Sequence, residues 1–377
     1  MRKPEGRRRS WWGWAQWIII PMLVFLSTEY ALRRTFVVVP RWYSAAEQAA
    51  ARGRVDVVFI GSSRVIAAVD VPSFNRAVFA MTGYCLRALN LARGYSTDAQ
   101  HYLGLRNLLT SYSASLEGLT VFIEAPGGLP TGSSWDDAWI ASPQPALLVD
   151  VLRWNDLVPF WTSAGGGVGE KLHVTLRFVL RPIFSTLNRR ERIREGLLEA
   201  GIPWLVNLGL GRISSNPFRE GPAPFEPVGP GGIRVDPATL VGARNLAIRL
   251  TDEWLAEQRP IRNWSVTIQQ DLVDLVRRHG GHVVFFDVPL SSVFSRLYAT
   301  PLRKEDIRIF KEHAQGWGSR LLRPRVPVSD DDLPDLWHVG PWVAPPFSAE
   351  LAKDWVNAVR GTDQLPTGRT ANCPKTP

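Results

Sequence analysis

Two short stretches, far apart in the chain, hold residue types that could do chemistry together. Gly61-Ser62-Ser63-Arg64 follows the apolar run Val55-Asp56-Val57-Val58-Phe59-Ile60, and Asp335-Leu336-Trp337-His338 stands ahead of a C-terminal helical pattern. A serine hydroxyl is a poor nucleophile near neutral pH until a histidine accepts its proton. A carboxylate beside that histidine fixes its tautomer and stabilises the cation it becomes. Asp335 and His338 have the spacing for those two roles. A serine placed where a strand ends and a helix begins has its hydroxyl near helix N-terminal amides that can stabilise an oxyanion. Each piece alone also has a plainer reading, since serine after a strand commonly caps a helix and Asp-x-x-His recurs by chance.

The elements that must position these residues are strands and helices in alternation. The run 55–60 is a continuous β-branched stretch of the kind found in a central parallel strand. Leu86 to Ala92 is a second apolar run, and Leu119-Thr120-Val121-Phe122-Ile123-Glu124 is a third, ending at Ala125-Pro126-Gly127-Gly128. Helical patterns cover Ala45 to Ala50 and Thr97 to Leu109. An amphipathic helix over 263–279, with Ile268, Leu272, Leu275 and Val276 on one face and Gly280 as its stop, leads into the strand His282-Val283-Val284-Phe285-Phe286. The alternation predicts an α/β three-layer sandwich with a mostly parallel central sheet, whose active groups gather at the carboxyl ends of the strands. The last helix is expected to run from Ser348, as N-cap, through Val359. Residues 129–262 are less regular, with helical stretches at 143–160 and 170–200 and a Pro/Gly-rich run from Asn216 to Pro237; they are expected to form a helical insertion or cap. Residues 361–377 have the composition of a disordered tail.

The N-terminus has a different character. Residues 1–9 form a basic tail in which Arg2, Lys3, Arg7, Arg8 and Arg9 outweigh Glu5. From Ser10 to Thr28 no residue is charged, and a helix of that length spans about 28 Å, close to the thickness of bilayer hydrocarbon. Trp11, Trp12, Trp14 and Trp17 crowd its first end, where indoles favour the membrane interface. Residues 10–32 are therefore expected to be a transmembrane signal-anchor, with the N-terminus inside and the domain of residues 45–360 outside. Glu29-Tyr30-Ala31-Leu32-Arg33 has no cleavage signature.

The formal charge of +9 over 377 residues owes much to that tail. The remaining basic residues are interspersed with acids and lack a stacking motif, which argues against a nucleic-acid partner. Gly165-Gly166-Gly167-Val168-Gly169-Glu170-Lys171 is not a phosphate loop, because no Ser or Thr follows Lys171 and no strand precedes it. His279 and His282 fit a helix C-terminus better than a metal site. No cofactor or metal is expected. Trp135, Trp139 and Trp154, with Asp136-Asp137 nearby, read as packing residues, although aromatic faces also suit sugar rings. Cys85, in Tyr84-Cys85-Leu86, reads as a packed core residue, and Cys373 lies in the Pro-rich tail; an extracytoplasmic site would also permit a disulfide between them, the lesser reading at 288 residues of separation.

Gly61-Ser62-Ser63-Arg64 after Val-Val-Phe-Ile resembles the first block of the SGNH (GDSL) hydrolase superfamily. Within it, the likeness is to membrane-anchored branches that modify cell-envelope polysaccharides, such as the alginate O-acetylation proteins. The resemblance implies that Ser63 is the nucleophile, that Asp335 and His338 complete its triad, and that Gly94, within Asn90-Leu91-Ala92-Arg93-Gly94, joins Ser63 in the oxyanion hole through backbone N–H groups. It implies a membrane-tethered esterase or O-acyltransferase acting on an acylated envelope glycan, working beside membrane acyl-transfer or export partners. The third block departs from the family: the strand ends in Glu124-Ala125-Pro126-Gly127, with no asparagine to donate to the oxyanion. Val339-Gly340-Pro341 also replaces the usual Leu-Asn after the histidine. A catalytically degenerate scaffold or glycan-binding protein of the same fold is the alternative, and a lipid esterase is a third.

Overall fold

The computed structural model describes residues 43–125 except Tyr95, 145–180 except 164–166, 226–228, 232–234, 237–257 and 266–360, together with isolated positions 19, 23 and 27. The chain divides into two compact units, Met1–Pro40 with Leu172–Ser215, and Arg41–Lys171 with Asn216–Pro377. The second unit holds both chemical stretches.

Its centre is a five-stranded sheet of β1 (Val57–Ile60), β2 (Ala88–Asn90), β3 (Thr120–Glu124), β4 (His282–Phe286) and β5 (Arg320–Leu322), in the order β2-β1-β3-β4-β5. Every pairing is parallel, so the α/β class expected from the alternating pattern is the class observed. β1 is buried along its whole length, as a strand covered on both faces must be. The chain runs outward from β1 to β2 and then crosses back over β1 to β3. The strand order therefore reverses between β1 and β3, and in open α/β sheets a crevice forms at the carboxyl ends of such a pair.

The helices of the chain, in order, are α1 (Ser44–Ala51), α2 (Ser63–Ala68), α3 (Val71–Thr82), α4 (Asp98–Ser111), α5 (Pro145–Val151), α6 (Leu157–Ser163), α7 (Val168–Leu180), which runs from the second unit into the first, α8 (Pro237–Glu257), α9 (Val266–Arg278), α10 (Ser292–Tyr298), α11 (Pro301–Gly316) and α12 (Ala344–Val359). One face of the sheet presents Val57, Phe59, Phe122, Val284 and Phe286 to α2, α3 and α12. Trp355 of α12 lies at the centre of that layer, its ring 5.8 Å from Phe74 and 5.6 Å from Phe122. On the other face Phe285 meets Phe310 of α11 edge-on, and α9 packs against β4 and α4. Between β3 and β4 stand α5 to α8 and a hairpin, Glu226–Val228 with Gly232–Arg234.

Several local expectations are corrected. Ser348 does not cap the last helix: α12 starts at Ala344, with proline in its first turn, where a missing N–H costs nothing. Ser348 is instead fully buried, and its hydroxyl accepts the Asp70 N–H at 2.7 Å, tying α12 to the start of α3. Trp154 is 64% exposed rather than packed, because the inward position of its short turn belongs to Asp156, which pairs with Arg106 of α4 at 2.7 Å. Cys85 is half-buried in the turn ahead of β2 and is disulfide-bonded, not a lone core thiol; the sequence has one other cysteine, Cys373, outside the described residues. Among the described residues no helix is long and apolar enough to cross a membrane; nearly all of the expected anchor, 10–32, lies outside them. The tail 361–377, Trp135, Asp136, Asp137 and Trp139 also lie outside them.

Candidate active site

The site starts from the way β1 ends. Gly61 turns the chain out of the strand at φ +154°, and a Cβ there would come within 2.6 Å of a Val65 methyl and 2.8 Å of the Glu124 Cβ. Only glycine permits so tight an approach. Ser62 then caps α2, its side-chain oxygen accepting the Arg64 N–H at 3.2 Å. Ser63 is the first residue of the helix.

Opposite it stands the loop 330–340. The Asp335 carboxylate accepts the backbone N–H of Trp337 at 2.9 Å and of His338 at 2.7 Å through one oxygen. Its other oxygen lies 2.7 Å from Nδ1 of His338. Nε2 of His338 lies 2.8 Å from the Ser63 hydroxyl oxygen. With the proton assigned to Nδ1, His338 donates to Asp335 and accepts from Ser63, the tautomer a serine base requires. Burial acts to raise the Asp335 carboxyl, but the hydrogen bond and charge of His338, then the two amides, outweigh it and hold Asp335 below the usual carboxylate range. Leu336, between them, has φ +62° and is the one non-glycine residue at positive φ among those described.

Gly94 reaches the same place from β2. A Cβ on it would lie 3.5 Å from the Ser63 Cβ, so its bare backbone is adjacent to the nucleophile candidate. The segment carrying it is pinned at several points. Asn90, closing β2, accepts the Ala92 N–H at 3.0 Å and donates to the carbonyls of Val65 in α2 and of Val69 just after it. The Gly61 carbonyl accepts the Arg93 N–H at 2.9 Å, and the Ser96 hydroxyl donates to the Arg93 carbonyl at 2.7 Å. His101, buried on α4, places Nε2 at 3.1 Å from the Gly61 carbonyl and 2.8 Å from the Ser96 oxygen, while Nδ1 faces the Tyr43 hydroxyl. Burial lowers His101 to about 4, so the ring is neutral near pH 7; with the proton assigned to Nε2 it donates to Gly61. Neither the Ser63 N–H nor the Gly94 N–H has an acceptor among the described residues.

The structure thus brings Ser63, Gly94, Asp335 and His338 together and leaves the other sequence candidates elsewhere. Nδ1 of His279 meets the Leu275 carbonyl of its own helix at 2.9 Å, and Lys171 donates to the Trp161 carbonyl. Gly127 and Gly128, which follow β3, lie outside the described residues. Five side chains that help to build the site were not singled out from sequence: Arg64, Asn90, His101, Glu124, which accepts the Ser62 N–H, and Arg244, which donates to the Pro334 carbonyl. Asn90 and Glu124 carried a legible signal, because a polar residue closing an otherwise apolar parallel strand sits at the edge where sites form. The arrangement has an imidazole in place to take a proton from a hydroxyl and two backbone N–H groups adjacent to that hydroxyl.

A search against protein-family models found none that matches the chain, and a search of curated proteins found no match either.

Proposed function

We propose that this protein is a membrane-tethered serine esterase or O-acyltransferase that acts on acyl esters of a cell-envelope glycan. The observation that carries the reading is the unbroken chain of contacts from Asp335 through His338 to Ser63, at 2.7 and 2.8 Å. Ser63 Oγ attacks the acyl carbonyl carbon and passes its proton to Nε2 of His338. The carbonyl oxygen takes up the negative charge beside the free N–H groups of Ser63 and Gly94. Collapse of that intermediate expels the alcohol, which leaves with the proton held by His338, and an acyl-Ser63 ester remains. Water or a sugar hydroxyl then repeats the sequence as acceptor, giving hydrolysis or transfer.

The SGNH-like fold, with 129–262 as its helical insertion, is part of the same proposal. It is supported by the parallel strand order, by Ser63 following β1, and by Asp335 and His338 preceding the last helix. The extracytoplasmic location is supported by the apolar run Ser10 to Thr28 behind a basic tail. Tethering favours transfer, because a fixed place beside a membrane donor raises its effective concentration.

The test is turnover of a chromogenic acetate ester by the detergent-solubilised protein, beside Ser63→Ala and His338→Ala. Both variants are expected to lose about 10³-fold or more. Equal background rates in all three would replace this reading with a non-catalytic scaffold or glycan-binding protein of the same fold.

A further inference from the structure

We propose that Glu124 is a positioning residue for the nucleophile: its carboxylate takes the Ser62 N–H, so that Ser63 keeps the free amide at the start of α2. The inference rests on Ser63 being the nucleophile. β3 lies beside β1, with Ile123 paired to Ile60, and Glu124 is the next residue along, level with the turn that follows β1. Alternation along the strand puts its side chain on the face of Phe122, the face that α2 covers. Oε2 of Glu124 accepts the Ser62 N–H at 2.8 Å. The missing side chain of Gly61 makes room for it, since a Cβ there would lie 2.9 Å from that same oxygen.

The amides around the nucleophile are then accounted for one by one. That of Ser62 goes to Glu124, that of Arg64 to the Ser62 hydroxyl, and those of Val65 and Ile66 to the Ser62 carbonyl. Ser63 alone is left over. An oxyanion donor must be free and fixed before the reaction begins, and satisfying its neighbours on both sides achieves that. A carboxylate so close to a developing oxyanion would by itself oppose the charge. Arg64 answers that difficulty: Nη1 lies 3.4 Å from Oε1 of Glu124, and Nη2 donates to the Val288 carbonyl at 2.9 Å. Both side chains of the pair are almost wholly buried, at 10% and 12% exposure, where such a pair contributes geometry more than net stability. Glu124 occupies the strand end where the resembled family places an asparagine, and on this account it acts on the hole by holding the backbone, not by donating to it.

The full-length protein is compared with Glu124→Gln, Glu124→Asp and Glu124→Ala. Readouts are ester kinetics, the rate of Ser63 labelling by a fluorophosphonate probe, and thermal unfolding. Glutamine keeps an acceptor for the Ser62 N–H but leaves the Arg64 charge without its partner, so it is expected to unfold at lower temperature while the folded protein stays within about fivefold of the wild-type kcat. Aspartate keeps the charge but falls one methylene short. It is expected to lose roughly 30- to 100-fold in kcat and in labelling rate at unchanged KM, the scale of a slightly misplaced reacting group. Alanine should match aspartate if it folds, and if it does not, the Gln and Asp pair decides. Wild-type rates in folded Glu124→Asp would overturn the proposal, and so would losses in Glu124→Gln equal to those in Glu124→Asp. A wild-type protein that neither turns over ester nor labels at Ser63 would instead bring down the nucleophile assignment, and this proposal with it.

Discussion

Arg244 of α8 donates from Nε to the carbonyl of Pro334 at 2.6 Å, one residue before the carboxylate that orients His338. Its Nη2 donates to the Asp330 carbonyl at 3.2 Å. The carboxylate of Asp330 in turn accepts the backbone N–H and the hydroxyl of Ser292 at the start of α10. A helix from the segment between β3 and β4 therefore grips both ends of the stretch leading into Asp335. Leu333, within the stretch, is buried in the core that covers the sheet, and the contacts of Arg244 hold the residues on either side of it.

Arg244→Ala is expected to lower kcat about tenfold while leaving the Ser63 environment intact. A hydrogen bond from a charged donor contributes about 1.5–3 kcal/mol when buried, and partial exposure of this side chain argues for the lower end. Denaturant unfolding should register a loss of about 1–2 kcal/mol. Unchanged kinetics in Arg244→Ala would show that the stretch holds its shape without α8.

Leu336 should break the usual ranking of core substitutions. Its side chain is buried with Ala247, Phe294 and Leu297, so truncation to alanine costs about 2–5 kcal/mol. At φ +62° the backbone also favours glycine over alanine by roughly 1 kcal/mol. Leu336→Gly is thus expected to be as stable as Leu336→Ala, or more so, whereas at an ordinary core position glycine is worse. Thermal unfolding of the two variants decides the order. Because the strain lies between Asp335 and His338, both variants should also lose activity beyond their loss of stability.

The sequence made the inner strands plain and the site only partly so. Val57–Ile60, Thr120–Glu124 and His282–Phe286 are apolar runs that a two-faced parallel strand requires, and they form one. β5, three residues beginning with Arg320, is an edge strand too short and too polar to stand out. α12 begins at Ala344, four residues ahead of Ser348, and carries Pro345 and Pro346 in its first turn, where proline is welcome. Asp335 and His338 stand out by type and spacing, whereas the choice of Ser63 over Ser62 comes from the family resemblance. The place of Glu124 at a strand end was legible but its partner was not, because Ser62 lies 62 residues upstream and meets it only once β1 and β3 pair. Arg244 was hidden for the same reason, with Pro334 90 residues away.

Asp335→Asn tests whether the carboxylate does more than hold the loop. Asparagine preserves size and can still accept the Trp337 and His338 amides, but it offers His338 no charge. The kcat is expected to fall by about 10²–10⁴. The Asp335 carboxyl sits below its ordinary range in the folded protein, so its contribution to stability is present above about pH 4 and lost as pH falls through the depressed value. The variant should therefore be less stable than wild type at pH 7, with the gap closing in stronger acid. A constant gap at every pH would mean that the carboxylate is not ionised in the folded state.

Asp98 and His101, one turn apart on α4, should pull stability in opposite directions over one pH range. Burial pushes Asp98 up to about 6, against the opposing hydrogen bond from Gln269 and with a smaller push from Glu124. The folded state then binds the extra proton first, so acidification from about pH 6 to 4 stabilises it. Burial brings His101 down to about 4, despite its bond to the Gly61 carbonyl, so the unfolded state binds that proton first and acidification from about pH 6.5 to 4 destabilises the fold. Each effect amounts to at most about 1.4 kcal/mol per pH unit, and in wild type they largely cancel. Asp98→Asn keeps an acceptor for Gln269 and exposes the histidine alone, so its stability should fall steeply with acid. His101→Gln should instead gain stability toward acid. Urea unfolding at pH 7, 6, 5 and 4 separates the two slopes, and parallel curves for both variants would refute the pairing. His101 also bonds the carbonyl that anchors the segment carrying Gly94. Ester turnover in Asp98→Asn should therefore decline with acid in step with its stability, while His101→Gln is slower at every pH.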